Sequence, residues 1–130
     1  MTSKLNNPDG VHAPFGGYHH TAVIDARQQL LNIAGQVGAY PDGTIAEGFR
    51  AQAEQAFRNV LSCLEANDFT ASDLVRLTIY ILDRGNLEEM RAARVSVLGA
   101  DVMPPSTLLV VSGLAAPEML IEVEAQAARG

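Results

Sequence analysis

A chain of 130 residues with 48% hydrophobic and 18% charged content is a folded domain of ordinary size, not a disordered segment. Its formal net charge of −6, with nine Lys and Arg and no basic window, argues against nucleic acid as the main ligand, since phosphate contacts supply most of such a binder's affinity. A single cysteine, Cys63, excludes an intrachain disulfide and a cysteine-based zinc site, and the absence of Trp makes the core aliphatic.

No internal repeat or low-complexity linker interrupts residues 1–130, so a single domain is expected. The first residues, Met1 to Pro8, lack the apolar run of a secretory leader, and no stretch approaches the ~18 apolar residues of a membrane span. A cytoplasmic protein with no membrane partner is expected.

Residues 1–16, rich in Asn, Pro, Gly and His, read as an irregular arm. Tyr18 to Ile24 reads as a strand and Gln29 to Ala34 as its partner, with a short hairpin between them. Pro41-Asp42-Gly43 is a turn, because Pro presets φ and Gly accepts positive φ. A helix over 46–66 follows from the apolar stripe Phe49, Ala53, Ala56, Phe57, Val60, Leu61 and Leu64, with Asn67 as its left-handed terminator. Leu74 to Leu82 alternates as a strand, with Arg76, Thr78 and Tyr80 on one face. A second helix over 87–98 has Asn86 as N-cap, Glu89 at the capping-box position and Gly99 as its stop.

Two strands close the chain, Ser106 to Ser112 and Leu120 to Ala127. In the last, Ile121, Val123, Ala125 and Ala127 alternate with Glu122, Glu124 and Gln126, so one face is core and the other carries two carboxylates. The order β-β-α-β-α-β-β describes an α+β fold with two helices on one face of a mixed sheet. Leu108 to Val111 run without alternation, and two helices cannot cover both faces of one sheet. The uncovered face is therefore expected to be buried in a homo-oligomer.

Read together, these residues resemble the RidA family, also called YjgF or endoribonuclease L-PSP. The resemblance is carried by Gly17-Tyr18, Ile33-Ala34-Gly35-Gln36, Asp42-Gly43, the Gln52/Ala56/Asn59/Leu64 pattern, Asp73-Leu74-Val75, Pro104-Pro105-Ser106-Thr107 and Ile121-Glu122-Val123-Glu124-Ala125. It implies a chorismate-mutase-like fold in a homotrimer: a central barrel of three sheets, helices outside, and a small-molecule cleft at each subunit interface. It also implies hydrolysis of reactive enamines and imines to 2-keto acids and ammonia, without cofactor or metal. In RidA enzymes an arginine binds the substrate carboxylate, a glutamate of the last strand positions water, and a tyrosine and a serine help line the cleft.

Tyr18 and Glu122 match two of these four positions and are the candidate catalytic residues. Ser106 stands at the arginine position and Ala34 at the serine position. Replacing a guanidinium by serine removes a charge-assisted pair, on the order of 1.5–3 kcal/mol or roughly 10- to 150-fold. The sequence thus resembles the arginine-lacking subfamilies, for which standard 2-imino-acid deamination is not assumed. Ser106, Thr107, Ala34, Gly35 and Arg94 are the candidate ligand contacts. Arg91 or Arg94, on the second helix, would replace the lost guanidinium if the ligand is anionic.

Glu124 is expected on a solvated outer face, and Cys63 packed beside the helix stripe. His19 and His20 are expected to be adjacent in a strand, pointing apart, and with His12 in a loop they give no metal-ligand spacing. Three functions follow: an imine or enamine hydrolase, a non-catalytic trimer that binds a keto acid or carboxylate, and a ribonuclease. The last rests on an older family name and conflicts with the acidic charge.

Overall fold

The computed structural model describes residues 2–130. Its elements are β1 (Lys4–Asn6), β2 (Thr21–Val23), β3 (Gln29–Val37), α1 (Phe49–Ala66), β4 (Leu74–Ile81), α2 (Leu87–Leu98), β5 (Ser106–Val110) and β6 (Ile121–Arg129). A four-stranded mixed sheet has the order β3-β6-β4-β5, in which β5 runs parallel to β4 and the other pairs are antiparallel. Both helices pack on one face of it, giving the expected α+β architecture.

The pleat decides which side chains meet the helices. On β4, Leu77, Ile79 and Ile81 point into the core, and on β6, Ile121, Val123, Ala125 and Ala127 join them. From α1 come Ala53, Ala56, Phe57, Val60 and Leu64, from α2 Met90, Ala93 and Leu98. Spacings of three and four place each set on one helix face.

Two polar side chains of α1 tie the sheet to the helix layer. Gln52 is buried, donates from Nε2 to Glu118 O at 2.9 Å and accepts from the Leu120 N–H at 2.8 Å, fixing the approach to β6. Asn59 Nδ2 donates to Val37 O at 3.1 Å and Ala39 O at 2.9 Å, holding the end of β3. Gly38 lies so close to α1 that a Cβ there would overlap the Gln52 backbone.

Four local readings are corrected. The strand of the Tyr18 to Ile24 region is only Thr21–Val23, and it pairs with Lys4–Asn6 of the supposedly irregular arm, not with β3. His19 and His20 precede that strand. The left-handed residue after α1 is Asp68 (φ 63), not Asn67, whose φ is −113; the Phe69 N–H bonds back to Leu64 O at 2.9 Å. Asn86 makes no side-chain cap, because a single 3₁₀ turn over Arg84–Asn86 leads into α2 and Asp83 accepts the Gly85 N–H at 2.8 Å. Gly43 (φ 90) and Gly99 (φ 103) do have the positive φ that their turn and helix stop require.

The Gln52 clamp gives the first prediction. Gln52→Leu keeps the volume but strands the Leu120 N–H and the Glu118 carbonyl, each worth ~1–3 kcal/mol when buried and unpaired. Urea unfolding of the variant is expected to show a loss of about 2–4 kcal/mol with an unchanged m-value. A loss below about 0.5 kcal/mol would mean the clamp does not hold β6.

Candidate functional site

Sheet register divides the candidate residues into two groups. Ser106 pairs with Leu77 and so shares the helix-side face, at the exposed edge of the sheet. Glu122 pairs with Tyr80 and points the other way. The two positions are three residues apart along β4 and two strands apart across it, about 10 Å by about 9.5 Å.

The first group surrounds a cavity of about 300 Å³ between α2, the β5 edge and the segment ahead of β2. Tyr18, Ser106, Arg91 and Arg94 line it, and Ile79, Leu87, Met90 and Leu108 give it an apolar wall. The Tyr18 hydroxyl oxygen accepts a long bond from the Phe15 N–H at 3.3 Å, and its own hydrogen has no acceptor among the described residues. Ser106 Oγ donates to Pro104 O at 2.9 Å, so its single proton is spent on the backbone. Arg94 is 7% exposed and donates from Nη1 to Gly17 O at 2.8 Å and Val102 O at 3.1 Å. Burial first, and then the neighbouring Arg91 charge, pull its pKa below the usual guanidinium range. Arg91 pairs with the exposed Glu88 at 3.2 Å.

The second group lies on the face turned away from the helices. Ala34 and Gly35 form a bulge of β3, where the register with β6 shifts between Ile33 and Gln36. Gly35 permits the Glu122 carboxylate to lie against β3: a Cβ there would overlap Glu122 Oε2 and stand 2.8 Å from Cδ. Ala34 instead borders a second cavity, of about 520 Å³, with Arg76, Thr78, Glu124 and Gln126. Thr107, adjacent to Ser106, points to this face and accepts from Arg76 Nη2 at 3.3 Å. The candidate ligand contacts Thr107, Ala34 and Gly35 are therefore separated from Ser106 and Arg94 within one chain.

Glu124 is more than a solvated carboxylate, because it accepts from the Tyr80 hydroxyl at 2.5 Å. That bond, ahead of the partial burial and the nearby carboxylates of Glu124 and Glu122, pushes the Tyr80 pKa above the usual tyrosine range. The sequence signalled Tyr80 only as an outer-face residue of β4; its pairing opposite Glu122 depends on a register no single strand reveals. His19 Nδ1 lies 2.7 Å from Met103 O, and His20 Nε2 lies 2.7 Å from His12 O, so both rings brace the arm. Among the described residues no three His, Cys, Asp or Glu side chains gather as a metal site, and no helix is long and apolar enough to cross a membrane.

This sheet and its two helices define a chain of the YjgF/L-PSP fold. A sequence model of the family described as Endoribonuclease L-PSP matches residues 10–129. The chain is 30% identical over 120 residues to the RutC family protein YjgH of Escherichia coli K12, spanning 92% of this chain and 91% of that protein. The crystal structure of the Rid-family protein YyfB from Yersinia pestis superposes with a TM-score of 0.84 at 31% identity, covering 99% of this chain and 100% of that one. RidA from an Antarctic Psychrobacter superposes with a TM-score of 0.71 at 25% identity, covering 95% and 98%. The chain belongs to the RidA (YjgF, endoribonuclease L-PSP) family.

Two predictions follow from the open face. A double-mutant cycle between Gly35→Ala and Glu122→Ala is expected to show coupling of about 0.5–3 kcal/mol, since the three atoms nearest the new methyl all belong to the Glu122 side chain. Additive effects would mean that Glu122 does not rest on Gly35. For Tyr80, a raised pKa means that the folded state holds the phenolic proton longer. The stabilisation is whole below the free-tyrosine range and disappears as pH climbs through the raised value. Ultraviolet titration is expected to show one of the three tyrosines ionising above the others, and Glu124→Gln to bring it down; no change in Glu124→Gln would rule out the bond as the cause.

Proposed function

We propose that this chain assembles as a homotrimer and hydrolyses a small reactive imine or enamine at clefts between copies. The observation that carries the reading is the division of the site. Tyr18 and Ser106 share a cavity on the helix side, and Glu122 lies on the opposite face. One chain cannot bring them to one ligand, but a neighbouring copy seated against the open face and sheet edge can. Exposed Leu109 and Val110 on edge strand β5 give such a neighbour an apolar contact and an unpaired strand edge.

In such a cleft the Glu122 carboxylate accepts a proton from water as the water adds to the imine carbon. The resulting carbinolamine collapses to the carbonyl and releases ammonia. Tyr18, whose hydroxyl hydrogen has no acceptor among the described residues, donates to the ligand, and Ser106 shapes the wall. A second reading is a trimer that binds a keto acid or another carboxylate without turnover. It is favoured by the absence of any acidic side chain from the lining of the Tyr18–Ser106 cavity. Ribonuclease activity is disfavoured by the formal net charge of −6.

The test generates 2-iminopropionate or a bulkier imine in situ and follows keto-acid release, alongside sedimentation equilibrium. The expected result is a mass of three 13.8 kDa chains and an acceleration that falls at least 100-fold in Glu122→Ala. A stable lone subunit at micromolar concentration would contradict the assembly. No acceleration over a panel of imines, with measurable keto-acid affinity, would replace the hydrolase by the binding trimer.

A further inference from the structure

Arg129, the last residue of β6, carries a charge with no polar partner. Among the described residues its guanidinium makes no salt bridge; those present belong to Arg27, Arg50, Arg58 and Arg91. Its Nε is sealed from solvent and has no acceptor, which leaves the desolvation of that donor unrepaid. What holds the side chain is an aromatic face: Cζ lies over the ring of the buried Phe69, 5.1 Å from its centroid. The terminal Nη donors are neither sealed nor bonded to another described residue. Arg129 lines a cavity of about 620 Å³ at the β3 edge of the sheet, the opposite edge from β5.

The same cavity holds Asp68, the left-handed residue that follows α1. Its carboxylate makes no salt bridge among the described residues, so it does not neutralise Arg129. The end of α1, at Ala66 and Asn67, adds the partial negative charge of a helix C-terminus on the Asp68 side. A simple anion would be attracted by Arg129 and repelled by Asp68, and a simple cation the reverse. A ligand with one charge of each sign, a few bonds apart, satisfies both. We propose that this cavity binds a free α-amino acid, its carboxylate on the Nη donors of Arg129 and its ammonium on Asp68. The two terminal nitrogens of a guanidinium match two carboxylate oxygens. Gln29 and Asn67, the other polar residues of the lining, are neutral amides, so a charged ligand side chain finds no counter-charge and an uncharged polar one finds hydrogen bonds. The site shares no residue with the Tyr18–Ser106 cavity or with Glu122, and it stands whether or not the hydrolase reading holds.

The test is titration of the isotope-labelled whole chain with L-glutamine, N-acetyl-L-glutamine, L-glutaminamide and L-glutamate, followed by backbone amide chemical shifts. The first compound carries both charges, the second lacks the ammonium, the third lacks the carboxylate, and the fourth adds a side-chain charge. L-glutamine is expected to bind at millimolar concentration and to shift the amides of Asp68, Phe69 and Arg129. Each of the other three is expected to bind roughly tenfold more weakly, the cost of one charged hydrogen bond lost or one charge left unpaired. Arg129→Gln is expected to weaken L-glutamine by a similar factor. So is Asp68→Asn, which keeps a residue suited to the left-handed backbone and serves if the Arg129 variant does not fold. No shift of those amides at millimolar L-glutamine, equal binding of any of the other three compounds, or an unchanged affinity in Asp68→Asn would overturn the inference.

Discussion

The two-residue period of β6 is the constraint from which the rest follows. Ile121, Val123, Ala125 and Ala127 must face the helices, because together with Leu77, Ile79, Phe57 and Leu64 they are the core. That obliges Glu122, Glu124 and Gln126 to face the other way. The parallel pairing of β5 with β4 then sets Ser106 beside Leu77, on the side opposite Glu122. A one-residue slip of β6 would exchange the faces, but it would put two carboxylates into an aliphatic core, so the register is strongly fixed. The chemistry is thus partitioned by the same pleat that makes the fold stable.

On each side the partition is reinforced by a glycine. Gly35, in the bulge of β3, lets a carboxylate lie against the sheet, and Gly17 lets the backbone close over a guanidinium. The consequences differ. The carboxylate at Glu122 stays partly exposed on an open face, whereas the guanidinium of Arg94 is drawn into an apolar wedge and held by two carbonyls. A polar group of each sign is thereby prepared on opposite faces of one sheet, an arrangement suited to a cleft built from two copies.

Much of this was legible in the sequence, for reasons that differ by element. The stripe of α1, the alternation of β4 and β6 and the bounds of α2 rest on burial patterns repeated over eight or more residues, and they hold. The pairing of Thr21–Val23 with Lys4–Asn6 was not legible, since three-residue strands with polar partners carry no period. Asp68 taking the left-handed position from Asn67, and the 3₁₀ turn replacing an Asn86 cap, are choices between neighbouring residues that hydrogen bonding settles locally. Tyr18, Ser106 and Glu122 stood out as motif positions, but the face each occupies depends on interstrand register. Arg94 carried one overlooked signal: it sits four residues from Met90 and from Leu98, on the buried stripe of its helix, where a solvated arginine has no place.

The central claim is that the halves of the site on the two faces of the sheet work together across copies. Complementation tests it most directly: Glu122→Ala and Tyr18→Phe chains, each inactive alone, are unfolded, mixed and refolded together, and imine hydrolysis is measured. The account predicts that the mixture regains a substantial fraction of wild-type activity, because some interfaces then pair an intact Glu122 with an intact Tyr18 from different chains. A mixture no more active than its two components refolded separately would contradict it.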